Sequence, residues 1–206
     1  MIDTGKKEIK SYVLRTGRLS NLQKNAIEVF SDRFCIPFQE KLLDLKNVFG
    51  NGNPVIIEIG FGMGHATAEI AEKNRHKNYI GIEVHTPGVG KLLSRIDNLQ
   101  LSNLKIIQYD AVQVIRTMIP KESLFGVHIF FPDPWPKKKH HKRRLIQPGF
   151  IQELIPLIEK KGYIYGVTDW EDYAEQILSV LSQFSELSNP YEAYADGIKW
   201  RPNTSF

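Results

Sequence analysis

The stretch VIIEIGFGMGHATAEIAEKNR, residues 55–75, decides the fold. Val55 to Gly60 is a nearly continuous apolar, β-branched run, the pattern of a strand buried on both faces of a parallel sheet. Gly60, Gly62 and Gly64 then form a turn, and Ala66 to Arg75 carries the spacing of an amphipathic helix. Strand, glycine turn and helix make half of a βαβ unit, and the order recurs downstream. NYIGIEV (78–84), NLKIIQYD (103–110), VHIFF (127–131) and GYIYGVTD (162–169) read as four more strands. Helical segments follow them at 87–101, 111–118, about 148–160 and 171–184. Upstream, Ser20 is placed to cap a helix reaching about Phe34, with Leu22, Ala26, Ile27 and Phe30 along one face. Pro37 ends that region, and FGNGNP (49–54) is a turn cluster. Strands alternating with helices imply right-handed crossovers and parallel pairing. The expected fold is α/β: a doubly wound, mostly parallel, Rossmann-like sheet with helices on both faces. It occupies residues 20–206 as one domain, behind a flexible basic arm at 1–19.

Totals narrow the class. Hydrophobic residues are 42% of the 206 and charged residues 24%, enough apolar material for a core and too little charge for global disorder. The net charge is only +4, but six of the 27 basic residues fall between Lys137 and Arg144. A concentrated cationic patch on a near-neutral body points to a localised anionic partner. One cysteine, Cys35, excludes an intrachain disulfide and a cysteine-cluster metal site. The opening MIDTGKKEIK has no apolar core of a signal peptide, and no apolar run reaches membrane-spanning length. A cytoplasmic protein without a membrane span is expected.

Ligands of such sheets bind beyond the carboxyl ends of the strands. Five successive expected strands finish in or beside an acid: Glu58, Glu83, Asp110, Asp133 and Asp169. A dinucleotide fingerprint G-x-G-x-x-G would require glycine at position 65, where His65 stands, and no lysine followed by Ser or Thr supplies a phosphate-cradling loop. Glu58, two residues before the first glycine, suits a cationic group such as the amino end of a sulfonium cofactor. Glu83, 25 residues on, is placed to accept ribose hydroxyls, and Asp110 an adenine exocyclic amine. With Gly60, Gly62 and Gly64, these acids describe an S-adenosylmethionine site better than a dinucleotide site.

The second informative stretch is FPDPWPKKKHHKRR, 131–144. Pro132, Pro134 and Pro136 each fix φ and remove a donor, so regular structure stops there. Asp133 between prolines can be a plain turn former. Its place beside Trp135 favours a site instead, because stacking aromatics and hydrogen-bonding acids hold extruded bases. The following cationic run is expected to bind phosphate, with Lys137 close enough to Asp133 to act in the same pocket. His140 and His141 are adjacent without nearby carboxylates, so no metal is expected.

These segments resemble the bacterial tRNA (guanine-N7-)-methyltransferases over nearly the whole length. The resemblance is carried by YVLRTGRLSNLQ, EIGFGMG, NYIGIEVH, FPDPWPKKKHHKRRL, TDW and the closing WRPNTSF. It implies a class I methyltransferase that uses S-adenosylmethionine to methylate guanine N7 in the tRNA variable loop. By position it implies cofactor contacts at Glu58, Glu83, Asp110 and Asp133, with Asp133 also the active-site residue. It implies substrate binding by Lys137, Asp169 and Thr204, and tRNA contacts by Lys139, His140, His141, Lys142, Arg143 and Arg144. The family's closing motif reads T-x-F-E and a further strand follows; here Phe206 stands last, so that strand is expected outside these residues. Two other readings compete. Amino-methyltransferases acting on adenine N6 or cytosine N4 use a D/N-P-P-aromatic elbow that DPWP resembles. A non-catalytic RNA-binding protein with the same fold is the third possibility.

Overall fold

The computed structural model describes residues 9–13, 17–195 and 202 of the chain. Five strands form one sheet in the order β3-β2-β1-β4-β5, every pair parallel. They are β1 (Val55–Ile59), β2 (Asn78–Ile82), β3 (Leu104–Ile107), β4 (Leu124–Phe130) and β5 (Ile158–Val167). The helices are α1 (Asn21–Phe34), α2 (Leu45–Phe49), α3 (His65–Lys73), α4 (Thr86–Asn98), α5 (Ala111–Thr117), α6 (Pro148–Leu154) and α7 (Glu171–Leu181). The strand order reverses between β1 and β4, which is where a doubly wound fold opens its ligand crevice.

Side chains alternate between two cores because successive residues of a strand point to opposite faces. Val55, Ile57 and Ile59 of β1 join Val127 and Ile129 of β4 under α5, α6 and α7. Ile56 joins Tyr79, Leu104 and Ile106 under α1, α3 and α4. Glu58 and His128 face this second side, paired across β1 and β4. His128 is buried and its Nε2 meets the Tyr163 hydroxyl at 2.8 Å; burial pushes its pKa down to about 3, so it stays neutral.

The sequence expectations hold for all five strands and most helices, with local differences. Ser20 caps α1 in a full capping box with Gln23. The buried face of α1 nevertheless carries Gln23, Ala26 and Phe34, whereas Leu22 is exposed. Gln23 is drawn inward because its Nε2 donates to Pro87 O of α4 at 3.0 Å. The short α2 was not expected; Asp44 caps it and Gly50, in the left-handed region at φ 68°, ends it. The helix expected over 148–160 stops at Leu154, tightens into a 3-10 turn at Ile155–Leu157, and becomes β5 at Ile158. Pro156 lacks the N–H that would continue the helix. Among the described residues no helix is long and apolar enough to cross a membrane.

Candidate functional site

The glycine turn between β1 and α3 lies at the carboxyl edge of the sheet. Gly60, Gly62 and Gly64 all have positive φ (76°, 56° and 69°), and a Cβ at Gly60 or Gly62 would project into open space. The turn is held from below and from the side. Gly60 N donates to Ile82 O at 2.8 Å, and Gly62 N donates to Glu83 Oε2 at 2.9 Å. At Gly88 in α4 a Cβ would stand 2.0 Å from Gly62 O, so only glycine lets this helix seat the turn. The result is an open backbone cradle.

Glu58 is 3% exposed beneath α3. Burial raises its carboxyl pKa from 4.5 to about 7, and nearby Glu83 pushes the same way. The Thr67 hydroxyl beside it works in the opposite direction. Even so, among the described residues neither Glu58 Oε2 nor Thr67 Oγ1 makes a hydrogen bond of good geometry. A buried oxygen without a well-placed partner is costly. Glu83 is already engaged: Oε1 accepts from Val84 N at 2.7 Å and His85 N at 3.0 Å, and Oε2 from Gly62 N. Ribose hydroxyls would share Oε2 with that N–H. Asp110 caps α5, its Oδ1 accepting from Val112 N at 2.9 Å. It also lines a depression of about 450 Å³ with Lys10, Tyr12, Val84, Gln108 and Tyr109. That volume falls in the range of small-molecule sites. Burial and, more weakly, Asp110 hold the Tyr12 phenol above its ordinary value. Phe38 stacks on Tyr109 at 3.7 Å beside the depression. With β3, β2 and β1 adjacent, Asp110, Glu83 and Glu58 stand in a row along one sheet edge. The open cradle, with buried Glu58 and engaged Glu83 behind it, fits an S-adenosylmethionine cofactor.

Beyond β4 the chain enters the proline elbow. Phe131 and Trp135 both adopt left-handed backbone (φ 48° and 44°), a strained conformation for residues with a side chain. Phe131 N donates to Val167 O at 2.7 Å, which sets the elbow beside the end of β5. Asp133, Lys137 and Asp169 are all exposed at the ends of these neighbouring strands. Thr204 lies outside the described residues. Trp135 Nε1 donates to Ser11 O at 3.0 Å, so the described part of the N-terminal segment lies against the elbow.

The cationic run is not an extended arm. Lys138–Arg143 forms a 3-10 helix. Lys139 and Lys142 are exposed, His140, His141 and Arg143 half-buried. Partial burial, then the cations of Lys139 and Arg143, hold the His140 pKa below its ordinary value. Arg143 lies over the Trp135 ring at 4.5 Å. Arg144 departs from the exposed run expected of a phosphate contact: its side chain is 1% exposed and bonded to the protein. Among the described residues no group of three His, Cys, Asp or Glu gathers to hold a metal ion.

A family model described as "Putative methyltransferase" matches residues 52–206. A protein of Nitrosospira multiformis named tRNA (guanine-N(7)-)-methyltransferase is 52% identical over 198 residues, 96% of this chain and 86% of the relative. A protein of the same name from Methylobacillus flagellatus is 48% identical over 205 residues, 99% of this chain and 86% of the relative. The chain belongs to the tRNA (guanine-N7-)-methyltransferase family. Solved structures confirm the class I methyltransferase fold. An antibiotic-related methyltransferase superposes with a TM-score of 0.50 at 21% identity, covering 69% of this chain and 76% of its own. Precorrin-6y C5,15-methyltransferase from Geobacter metallireducens gives 0.51 at 13% identity, covering 77% and 80%.

Within this methyltransferase scaffold, three contributors escaped sequence reasoning. Gly88 had a weak signal, since a glycine inside a helical pattern has a packing reason. Thr67, beside Glu58, and Tyr12, beside Asp110, had none, because their roles arise from contacts between distant segments.

Proposed function

We propose that this enzyme transfers a methyl group from S-adenosylmethionine to N7 of a guanine in the tRNA variable loop, in the cytoplasm. The observation that carries the reading is 48–52% identity to tRNA (guanine-N7-)-methyltransferases over nearly the whole chain. The cradle and the row of acids supply the physical support. When bound, the cofactor supplies an electrophilic methyl on a sulfonium. Glu58 would meet its amino end, Glu83 and Asp110 its ribose and adenine, and Gly60, Gly62 and Gly64 would admit it close to the backbone.

Guanine N7 carries a free lone pair, so methylation removes no proton and leaves a cationic ring. No strong general base is needed. Asp133, as a carboxylate, hydrogen-bonds the substrate and offsets the positive charge that develops on the base, an electrostatic role in a fixed geometry. Lys137, Asp169 and Thr204 hold the guanine, and Lys139, His140, His141, Lys142 and Arg143 meet tRNA phosphates, which orient without reading sequence.

Incubation with tRNA and labelled cofactor, followed by digestion to nucleosides, tests the assignment. N7-methylguanosine is expected. N6-methyladenosine or N4-methylcytidine would establish the amino-methyltransferase reading, and absence of cofactor binding by calorimetry the non-catalytic one. Asp133→Asn should lower the single-turnover methyl-transfer rate, at saturating tRNA and cofactor, about 100-fold or more. Full turnover in that variant would remove Asp133 from the chemistry.

A further inference from the structure

Arg144 ends a run of six cations, yet it is the one charged side chain of that run folded into the protein. Its Nε donates to Pro134 O at 2.8 Å. Nη1 donates to Gln176 Oε1 at 2.7 Å, and Nη2 to Asp172 Oδ2, both on α7. The guanidinium lies 4.7 Å over the Tyr173 ring. Two further bonds lock the frame: Ile146 N donates to the Tyr173 hydroxyl at 3.1 Å, and Gln176 Nε2 donates to Ile146 O at 3.1 Å.

The segment that Arg144 grips needs holding. Pro132, Pro134 and Pro136 have no N–H, so the elbow cannot stabilise itself through a backbone ladder. Phe131 and Trp135 sit in left-handed backbone on either side of Asp133, and such conformations persist only where the surroundings over-determine them. The other end of the guanidinium grips the first turn of α7, three residues after Asp169. One planar fork therefore spans the loop carrying Asp133 and the loop carrying Asp169. Lysine, whose three N–H donors all sit on one nitrogen, cannot span these acceptors together.

We propose that Arg144 is a positioning residue for methyl transfer and not a tRNA contact. It braces the proline elbow against α7 and so sets where Asp133 stands relative to the guanine. This rests on the reading of Asp133 as the residue that faces the reacting base.

The test is a double-mutant cycle on Arg144→Lys and Asp133→Asn, read by single-turnover methyl transfer and by tRNA binding across a salt series. Arg144→Lys is expected to slow transfer about tenfold or more, since a small misplacement of reacting groups has effects of that size. The salt slope of tRNA binding should be unchanged in Arg144→Gln, which removes the charge that Arg144→Lys keeps, and the Arg144→Lys, Asp133→Asn double variant should be no slower than Asp133→Asn alone. Two results would overturn the proposal: a salt slope shallower by about 0.9, the change expected when one phosphate is no longer neutralised, or rate losses that multiply in the double variant. A general loss of stability would not produce the non-additivity. Should Arg144→Lys not fold, Gln176→Ala removes the Nη1 bond of the brace and the bond to Ile146 O. It is expected to slow transfer in the wild-type background and not in Asp133→Asn, and multiplying losses would again refute the brace. If Asp133→Asn alone keeps full rate, the Asp133 reading fails by itself, and the salt slope of Arg144→Gln still decides between brace and tRNA contact.

Discussion

Glu58→Gln should make the enzyme more stable at neutral pH, and the gain should grow with pH. The rise of the Glu58 pKa from 4.5 to about 7 on folding corresponds to about 3 kcal/mol between its protonated and ionised forms. Between those values the folded protein holds a proton that the unfolded chain has released, so stability falls as pH rises. The loss is complete above about pH 7, where the folded state carries a buried carboxylate. Glutamine has nearly the same shape and does not titrate. The variant-minus-wild-type difference in unfolding free energy should therefore climb by up to about 3 kcal/mol from pH ~4.5 to pH ~8. Urea unfolding of both proteins across that range measures it. Other acids titrate alike in both proteins and cancel in the difference, as does any constant offset from the amide. Cofactor binding should show the complementary effect. An ammonium beside Glu58 favours its ionised form, so binding below about pH 7 releases a proton and affinity rises with pH up to that point. Calorimetry in buffers of different ionisation enthalpy counts that proton, which should vanish in Glu58→Gln. A stability difference independent of pH would refute the reasoning, because it would mean that Glu58 titrates as a solvated carboxyl.

Other outcomes follow from the same geometry. Replacing Lys142 and Arg143 together by Ala should weaken tRNA binding and reduce its salt slope by about 0.9 for each phosphate left without its cation, with the cofactor affinity kept; an unchanged slope would take the 3-10 segment out of the interface. Gly88→Ala puts a Cβ 2.0 Å from Gly62 O, so the turn must move. Cofactor affinity should drop about tenfold or more by calorimetry with the circular dichroism spectrum retained, and normal affinity would show that the turn is not the cradle.

The strand alternation and the glycine turn were legible because they are local. A β-branched run, a glycine at positive φ and a helix cap each depend on a few neighbouring residues, and the pattern VIIEIGFGMG carries them without help. Boundaries were less legible where a local rule met a tertiary one. Gln23 displaced Leu22 from the buried face of α1 because a carbonyl 64 residues away accepts its amide.

The candidate site divides the same way. Which acids end strands is a property of the chain read in order, so Glu58, Glu83, Asp110, Asp133 and Asp169 could all be named from it. What each acid does there depends on its surroundings. Folding buries Glu58 beneath α3, commits Glu83 to three backbone N–H groups, and leaves Asp133 exposed on a strained elbow. Arg144 shows the division most plainly. The sequence alone determines that it is the last of six cations and suggests a phosphate contact. Only the tertiary structure decides that Pro134, Asp172 and Gln176 converge on it, because a guanidinium goes wherever packed elements leave enough acceptors to replace its water.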